Sequence, residues 1–341
     1  MKRGRGRKSI SFILTCVMVF SMFYLNQIPV KAATTYYYVS TSGSDSNDGT
    51  SKTTAFKTLT KALTKASAGT TIFVLNGTYS YSSTFKLTAN GTSSEPIKIL
   101  NYSGHAPVID FSGQAESSSN RGFQISGNYW IIAGLTIKNA GDNGIHISGN
   151  YNRVQDCFIT KCCDTGLQMS NGASYNRITR VTSTYNYDSG TNGENADGFA
   201  AKLDIGPGNV FEDCIAEYNS DDGFDFYQAG NAVSVYNSQA NYSGVGDGNG
   251  NGFKVGGNYT ADNHYLEGCS ATGNKLRGFD QNNNTGYVTL TSCTGTSNYV
   301  NFYFPTAPAS GKHKFTDCKS ISGTSKDKIV GATVSNCSFN Q

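Results

Sequence analysis

From residue 122 onward, a glycine followed by a bulky apolar residue recurs: Gly122-Phe123, Gly144-Ile145, Gly166-Leu167, Gly198-Phe199, Gly223-Phe224, Gly252-Phe253 and Gly278-Phe279, with Asn301-Phe302 in the next place. The steps are 22, 22, 32, 25, 29, 26 and 23 residues. Each unit continues by alternation, as in Phe123-Gln124-Ile125 and Phe253-Lys254-Val255, the period of a strand with one buried face. Further along, five units have a second strand that ends on cysteine: Arg153-Val-Gln-Asp-Cys157, Val210-Phe-Glu-Asp-Cys214, Tyr265-Leu-Glu-Gly-Cys269, Leu290-Thr-Ser-Cys293 and Phe315-Thr-Asp-Cys318. An asparagine read as a turn residue often follows, at Asn186, Asn219, Asn274 and Asn298. Short strands at this period, separated by Gly/Asn turns, predict the coils of a parallel β-helix. The Leu framework of leucine-rich repeats is missing, and helical periodicity is absent from the repeats.

One segment breaks the strand pattern. Residues 56–66 place Phe56, Leu59, Ala62, Leu63 and Ala66 on one helical face. A solenoid exposes core at its ends and needs a cap; this helix is assigned to that role, with residues 71–75 as the first core strand.

Composition supports the reading. Hydrophobic residues are 37% and charged residues 15%, with 39 Gly, 21 Tyr and 19 Phe, which argues against both disorder and long helices. The formal charge of +3 is misleading. Six basic residues (Lys2, Arg3, Arg5, Arg7, Lys8 and Lys31) and no acidic ones lie in the first 33, so 21 positive against 24 negative remain, a net −3. That start has a basic stretch (1–8), an apolar run (10–25) and small residues around Val30-Lys31-Ala32, the layout of a secretory signal peptide. The run is short for a spanning helix, which needs about 20 residues. The expected organisation is therefore a signal peptide over 1–32 and a single domain over 33–341, secreted, extracellular and monomeric, without nucleic-acid or membrane partners.

Cys16 lies in the leader, leaving eight cysteines. Disulfides are one reading for an exported chain. Because Cys157, Cys214, Cys269, Cys293, Cys318 and Cys337 hold equivalent coil positions, a buried ladder of free thiols is favoured.

Aligning coils on the glycine maps the surface. One place before it stand Arg121, Asn143, Thr165, Asp197, Asp222, Asn251 and Arg277; two places after it stand Gln124, His146, Gln168, Ala200, Asp225, Lys254, Asp280 and Tyr303. Asp197, Asp221, Asp222 and Asp225 then converge over two adjacent coils, with Lys254 one coil beyond Asp225. Taken singly, Asp-Gly is an ordinary turn pair. Together, crowded carboxylates suit a hard cation such as Ca²⁺. A strand lysine is ordinarily a solvated charge, but beside a cation a neutral Lys254 can act as a general base. Lys202, Lys275, Arg277 and Arg121 lie on or beside the same face as candidates for holding substrate carboxylates, or are plain solvated charges. His146 is expected at the surface. The run Gly246-Asp247-Gly248-Asn249-Gly250-Asn251-Gly252 is similar to a calcium-binding nonapeptide repeat but occurs once, and is read as a flexible loop.

Asn195-Ala-Asp-Gly-Phe-Ala-Ala-Lys202, Asn219-Ser-Asp-Asp-Gly-Phe-Asp225 and Gly250-Asn-Gly-Phe-Lys-Val-Gly-Gly257 resemble the core of polysaccharide lyase family 9, the parallel β-helix pectate lyases. The opening Tyr37-Tyr-Val-Ser-Thr-Ser-Gly-Ser-Asp45 resembles that family's N-terminus. The resemblance implies an all-β, right-handed parallel β-helix with an N-terminal capping helix. It also implies a catalytic Ca²⁺ on Asp197, Asp221, Asp222 and Asp225, and Lys254 as the Brønsted base. The expected activity is β-elimination on polygalacturonate of pectin. The alternatives are a rhamnogalacturonan or other uronate-polymer lyase with the same site, and a non-catalytic glycan-binding β-helix.

Overall fold

The computed structural model describes Met1 and residues 34–341; the leader expected over 1–32, with Cys16, lies outside the described residues. Residues 33–341 form one compact unit. Its strands are arranged in three parallel sheets, of twelve, ten and ten strands, through which the chain passes in turn on every coil.

The Gly-apolar repeat is the axis of this arrangement. Phe199, Phe224, Phe253, Phe279 and Phe302 pair in register from coil to coil, with ring centroids 4.9, 4.7, 5.1 and 4.9 Å apart. That spacing is the distance between neighbouring strands, so the rings stack because the backbone ladder imposes the interval. All five are fully buried, as are Phe123, Ile145 and Leu167 before them.

The cysteine signature marks a corner. A residue with positive φ (Asp156, Asp213, Gly268, Ser292, Asp317, Asn336) turns the chain out of the twelve-stranded sheet, and a cysteine follows each. The Cys214 thiol donates to Ile178 O on the previous coil at 3.5 Å, and the Cys269, Cys293 and Cys318 thiols do likewise. All eight described cysteines are free. Val181 and Ser238 fill the same corner on intervening coils, so the thiol ladder is interrupted.

Three expectations need correction. The asparagines read as turn residues are buried rungs. Asn298 Oδ1 accepts from Asn274 N at 2.9 Å, and its amide donates to Ala271 O and Asn301 Oδ1. Asn219 serves Asn186 in the same way. The chain bends away there, and the asparagine supplies the partners that the interrupted ladder withholds.

At the N-terminal end, Thr35–Val39 pairs with Thr70–Val74, so the expected first strand is the second of its sheet. The helix is only Leu59–Leu63, capped by Thr58, whose hydroxyl accepts from Lys61 N at 3.1 Å. Phe56 is drawn out of it by a bridge to Val39. Leu59 and Ala62 still enter the core.

Candidate active site

The ten-stranded sheet that carries the phenylalanine stack also builds the site. Phe199–Ala201, Phe224–Asp225 and Phe253–Lys254 are adjacent strands, and their register pairs Ala200 with Asp225 and Asp225 with Lys254. Side chains alternate across a strand; the phenylalanine of each pair faces the core and the next residue faces outward.

Asp197, Asp221 and Asp222 each offer a carboxylate oxygen within 4.8 Å of the others. Asp225 stands on their flank, tied down by lysines. Lys202 Nζ lies 2.8 Å from Asp197 Oδ2 and 3.1 Å from Asp225 Oδ2. Lys254 Nζ lies 3.1 Å from Asp222 Oδ2 and 3.5 Å from Asp225 Oδ1. Hydrogen bonds fix the remaining oxygens. Thr165 Oγ1 donates to Asp197 Oδ2 at 3.0 Å, and Asp222 N to Asp197 Oδ1 at 3.2 Å. Tyr227 N donates to Asp225 Oδ1 at 3.0 Å.

Four carboxylates face two ammonium groups, so positive charge is short. Burial, then the charge of Asp222 and Asp197, pushes the Asp221 carboxyl up to about 9. Burial lifts Asp197 to about 7, against the pull of Lys202. Asp222 is raised by burial as well. For Asp225 burial acts upward too, but Lys254 and Lys202 outweigh it and the carboxyl lies below its ordinary value. Burial opposes the Lys254 ammonium, yet Asp225, Asp222, Asp197 and Asp221 overcome it and hold the lysine charged.

The donor set is hard oxygen, suited to Ca²⁺. Asp222 Oδ2 is buried with no hydrogen-bond partner, since the Lys254 contact at 3.1 Å lacks hydrogen-bond geometry. Buried carboxylate oxygens gathered this closely have the chemistry to hold a divalent cation.

The remaining candidates are differently placed. Lys202 is a counter-ion within the cluster. Lys275 Nζ donates to Gly246 O and Gly248 O, both at 2.9 Å, and so faces a loop. Arg277 pairs with Asp280 at 2.7 Å and lies over the Tyr303 ring, 3.9 Å from its centroid, beside Lys254's column. Arg121 pairs with Asp142. His146, expected at the surface, is 3% exposed, with Nε2 2.8 Å from Ser170 Oγ; burial lowers it to about 4. Its column is outward in register, but the neighbouring strands and loops close over it, which strand alternation does not reveal.

A cleft of about 880 Å³ runs from Lys254, Asp221 and Asp225 toward earlier coils. Its far arm is acidic, with Glu116, Asp142, Asp164, Asp188 and Glu194 along it. Asn249 and Asn251, whose part sequence reasoning missed, donate to Asp221 and Asp222.

Residues 37–314 match the family described as Pel9A-like, right handed beta helix region. A protein named pectate lyase L from Paenibacillus polymyxa (strain SC2) is 39% identical over 301 residues, covering 82% of this chain and 66% of its own length. A pectate lyase L from Dickeya chrysanthemi is 36% identical over 304 residues, covering 84% and 71%. The chain thus spans about two thirds of the length of these relatives. Among solved structures, pectate lyase Pel9A superposes with a TM-score of 0.81 at 35% identity, covering 89% of this chain and 78% of that one. A rhamnogalacturonan lyase gives 0.74 at 25% identity, covering 90% and 88%.

Proposed function

This chain belongs to the Pel9A-like family of right-handed β-helix pectate lyases, and we propose that it is a secreted, calcium-dependent pectate lyase that cleaves polygalacturonate by β-elimination. The observation that carries this is the position of Lys254: its amine opens into the cleft at the edge of an oxygen cluster fit for a divalent cation.

Asp197, Asp221 and Asp222 would hold Ca²⁺, with Asp225 on their flank. The ion, when bound, neutralises the substrate carboxylate and so acidifies the adjacent C–H. The chain's own work centres on one proton. Lys254 Nζ takes it from the carbon bearing the carboxylate. The electron pair left behind forms the ring double bond as the neighbouring C–O glycosidic bond breaks, and the released oxygen takes up a proton. Asp222 and Asp225 fix where Nζ sits. They also favour its charged form, so the neutral base becomes available as pH rises and the reaction should be an alkaline one. Lys202 keeps Asp197 and Asp225 together while itself paired. The leader over 1–32 directs the chain out of the cell, where it acts as a monomer.

Lys254→Ala protein should still bind calcium but lose unsaturated-uronide formation, followed by ultraviolet absorbance, by about 10²–10⁴-fold, the range of a general base. Undiminished product from that variant would sink the assignment.

One observation favours a second substrate. The acidic arm of the cleft disfavours an all-uronate chain and is better matched to rhamnogalacturonan, in which neutral sugars alternate with uronates. Initial rates on both polymers separate the readings, and a non-catalytic glycan binder would generate new ends on neither.

A further inference from the structure

Residues 243–252 hold five glycines in ten positions, a composition that suggests mobility. Their packing says otherwise. A Cβ on Gly246 would lie 2.1 Å from Asn192 O, and one on Gly248 would lie 1.8 Å from Ser220 O. The glycines are there because the loop backbone is pressed against its neighbours. Gly244 and Gly250, both at positive φ, cross the Lys275 side chain so closely that added Cβ atoms would meet its Cβ at 2.4 and 2.6 Å. Gly244 N and Val245 N donate to Asn219 O and Ser220 O, and Asp247 N to Asn192 O. Lys275 then closes the loop with its two bonds to Gly246 O and Gly248 O.

The clamped loop points donors at the acids. Asn249 N donates to Asp221 Oδ1 at 2.7 Å. Asn251 donates twice to Asp222 Oδ1, from its backbone N–H at 2.7 Å and its amide Nδ2 at 2.8 Å. Both Asn251 bonds fall on one oxygen, so Asp222 Oδ2 is left without a hydrogen bond inside the cluster. Charge-assisted bonds of this kind are strong and directional, and outer partners of metal-ligating carboxylates commonly tune affinity by about 10–100-fold.

We infer that residues 243–252 are a positioning element for the metal-binding acids, with Asn251 and Lys275 acting on cation affinity through Asp222 and Asp221 rather than on substrate. This rests on the calcium reading above. Neither residue touches a reacting atom, so both are positioning residues.

The test is calorimetric titration of calcium into the chelator-stripped full chain, with kcat measured separately at saturating calcium. Asn251→Ala should weaken binding about tenfold, equivalent to about 1.4 kcal/mol. Lys275→Met should weaken it about fivefold and Lys275→Arg should restore most of it, with kcat of the two Lys275 variants within about twofold of wild type. Asp247→Asn, on an exposed residue of the same loop, should leave affinity unchanged. Thermal unfolding in chelator identifies any variant that fails to fold, and Lys275→Arg and Asn251→Ala keep the question open to decision if Lys275→Met is one. Wild-type affinity in both Asn251→Ala and Lys275→Met would overturn the positioning role alone. A loss in Asp247→Asn would overturn it by making the loop a ligand itself. A wild-type chain that binds no calcium would overturn the metal reading and this inference with it.

Discussion

Individual carboxylates in this site have environments that set their chemistry. Asp221 near 9 and Asp197 near 7 are protonated where Asp225 is charged. A cation must displace those protons, so its apparent affinity should climb from about pH 6 to pH 9 and fall as the medium becomes acid. Calorimetry in buffers of different ionisation enthalpy should record proton release on binding, and a pH-independent affinity would contradict the arrangement. The sign of stability follows from the same groups. Raised carboxyls leave the folded state holding more protons than the unfolded chain, so the contribution of Asp221 and Asp197 to the stability of the chelated protein should fall as pH rises from about 4 to 9, while buried His146 and His264 contribute with the opposite sign below about pH 6. The four Asp and Lys254 could be placed from sequence because strand alternation and a regular coil step convert position in the chain into position on a face. Asn251 and Lys275 could not. Their roles depend on which loop folds over which carboxylate, and no period encodes that.

At the scale of elements, the asparagine rungs replace backbone pairing at a bend. Asn298→Ala should leave the Asn274 N–H and the Ala271 carbonyl without their partners and cost about 2 kcal/mol, read as a lower denaturant midpoint. Asn298 bonds Asn274, Ala271 and Asn301 rather than any of the four Asp or Lys254, so kcat should survive in the folded protein. Retention of full stability would mean that water takes over the rung. The same asparagines were visible in sequence only as turn formers, since a turn and a buried rung use the same residue type. Thr35–Val39 shows a further limit. It carries no Gly-apolar mark, because that mark belongs to the strands of a ten-stranded sheet and Thr35–Val39 is the end strand of the twelve-stranded one. The helix begins late because Phe56, which satisfies helical spacing, forms a bridge to Val39 instead, and Asp45 accepts from Lys57 N and Thr58 N just before it.

For the whole molecule, charge and architecture divide the labour. The first 33 residues carry six of the 27 basic residues, and under the proposed activity the net −3 remainder would have to attract a polyanion, a task left to the proposed cation and Lys254. Expressed with its leader, the protein should be recovered from the medium as a 309-residue chain beginning at Ala33, the 341 residues less 32; intact-mass measurement checks this, and a cell-retained full-length chain would contradict it. By itself the sequence determined the coil period, the inward phenylalanine column, the thiol corner and the face on which four Asp and Lys254 stand, because each is a local pattern repeated at the strand spacing. Tertiary structure alone decided the rest: that Lys202 is a counter-ion, that Lys275 serves a loop, that His146 is closed over, and that a glycine-rich run is packed against its neighbours. Those outcomes turn on contacts within and between neighbouring coils, set by loops of unequal length whose packing a repeat cannot specify.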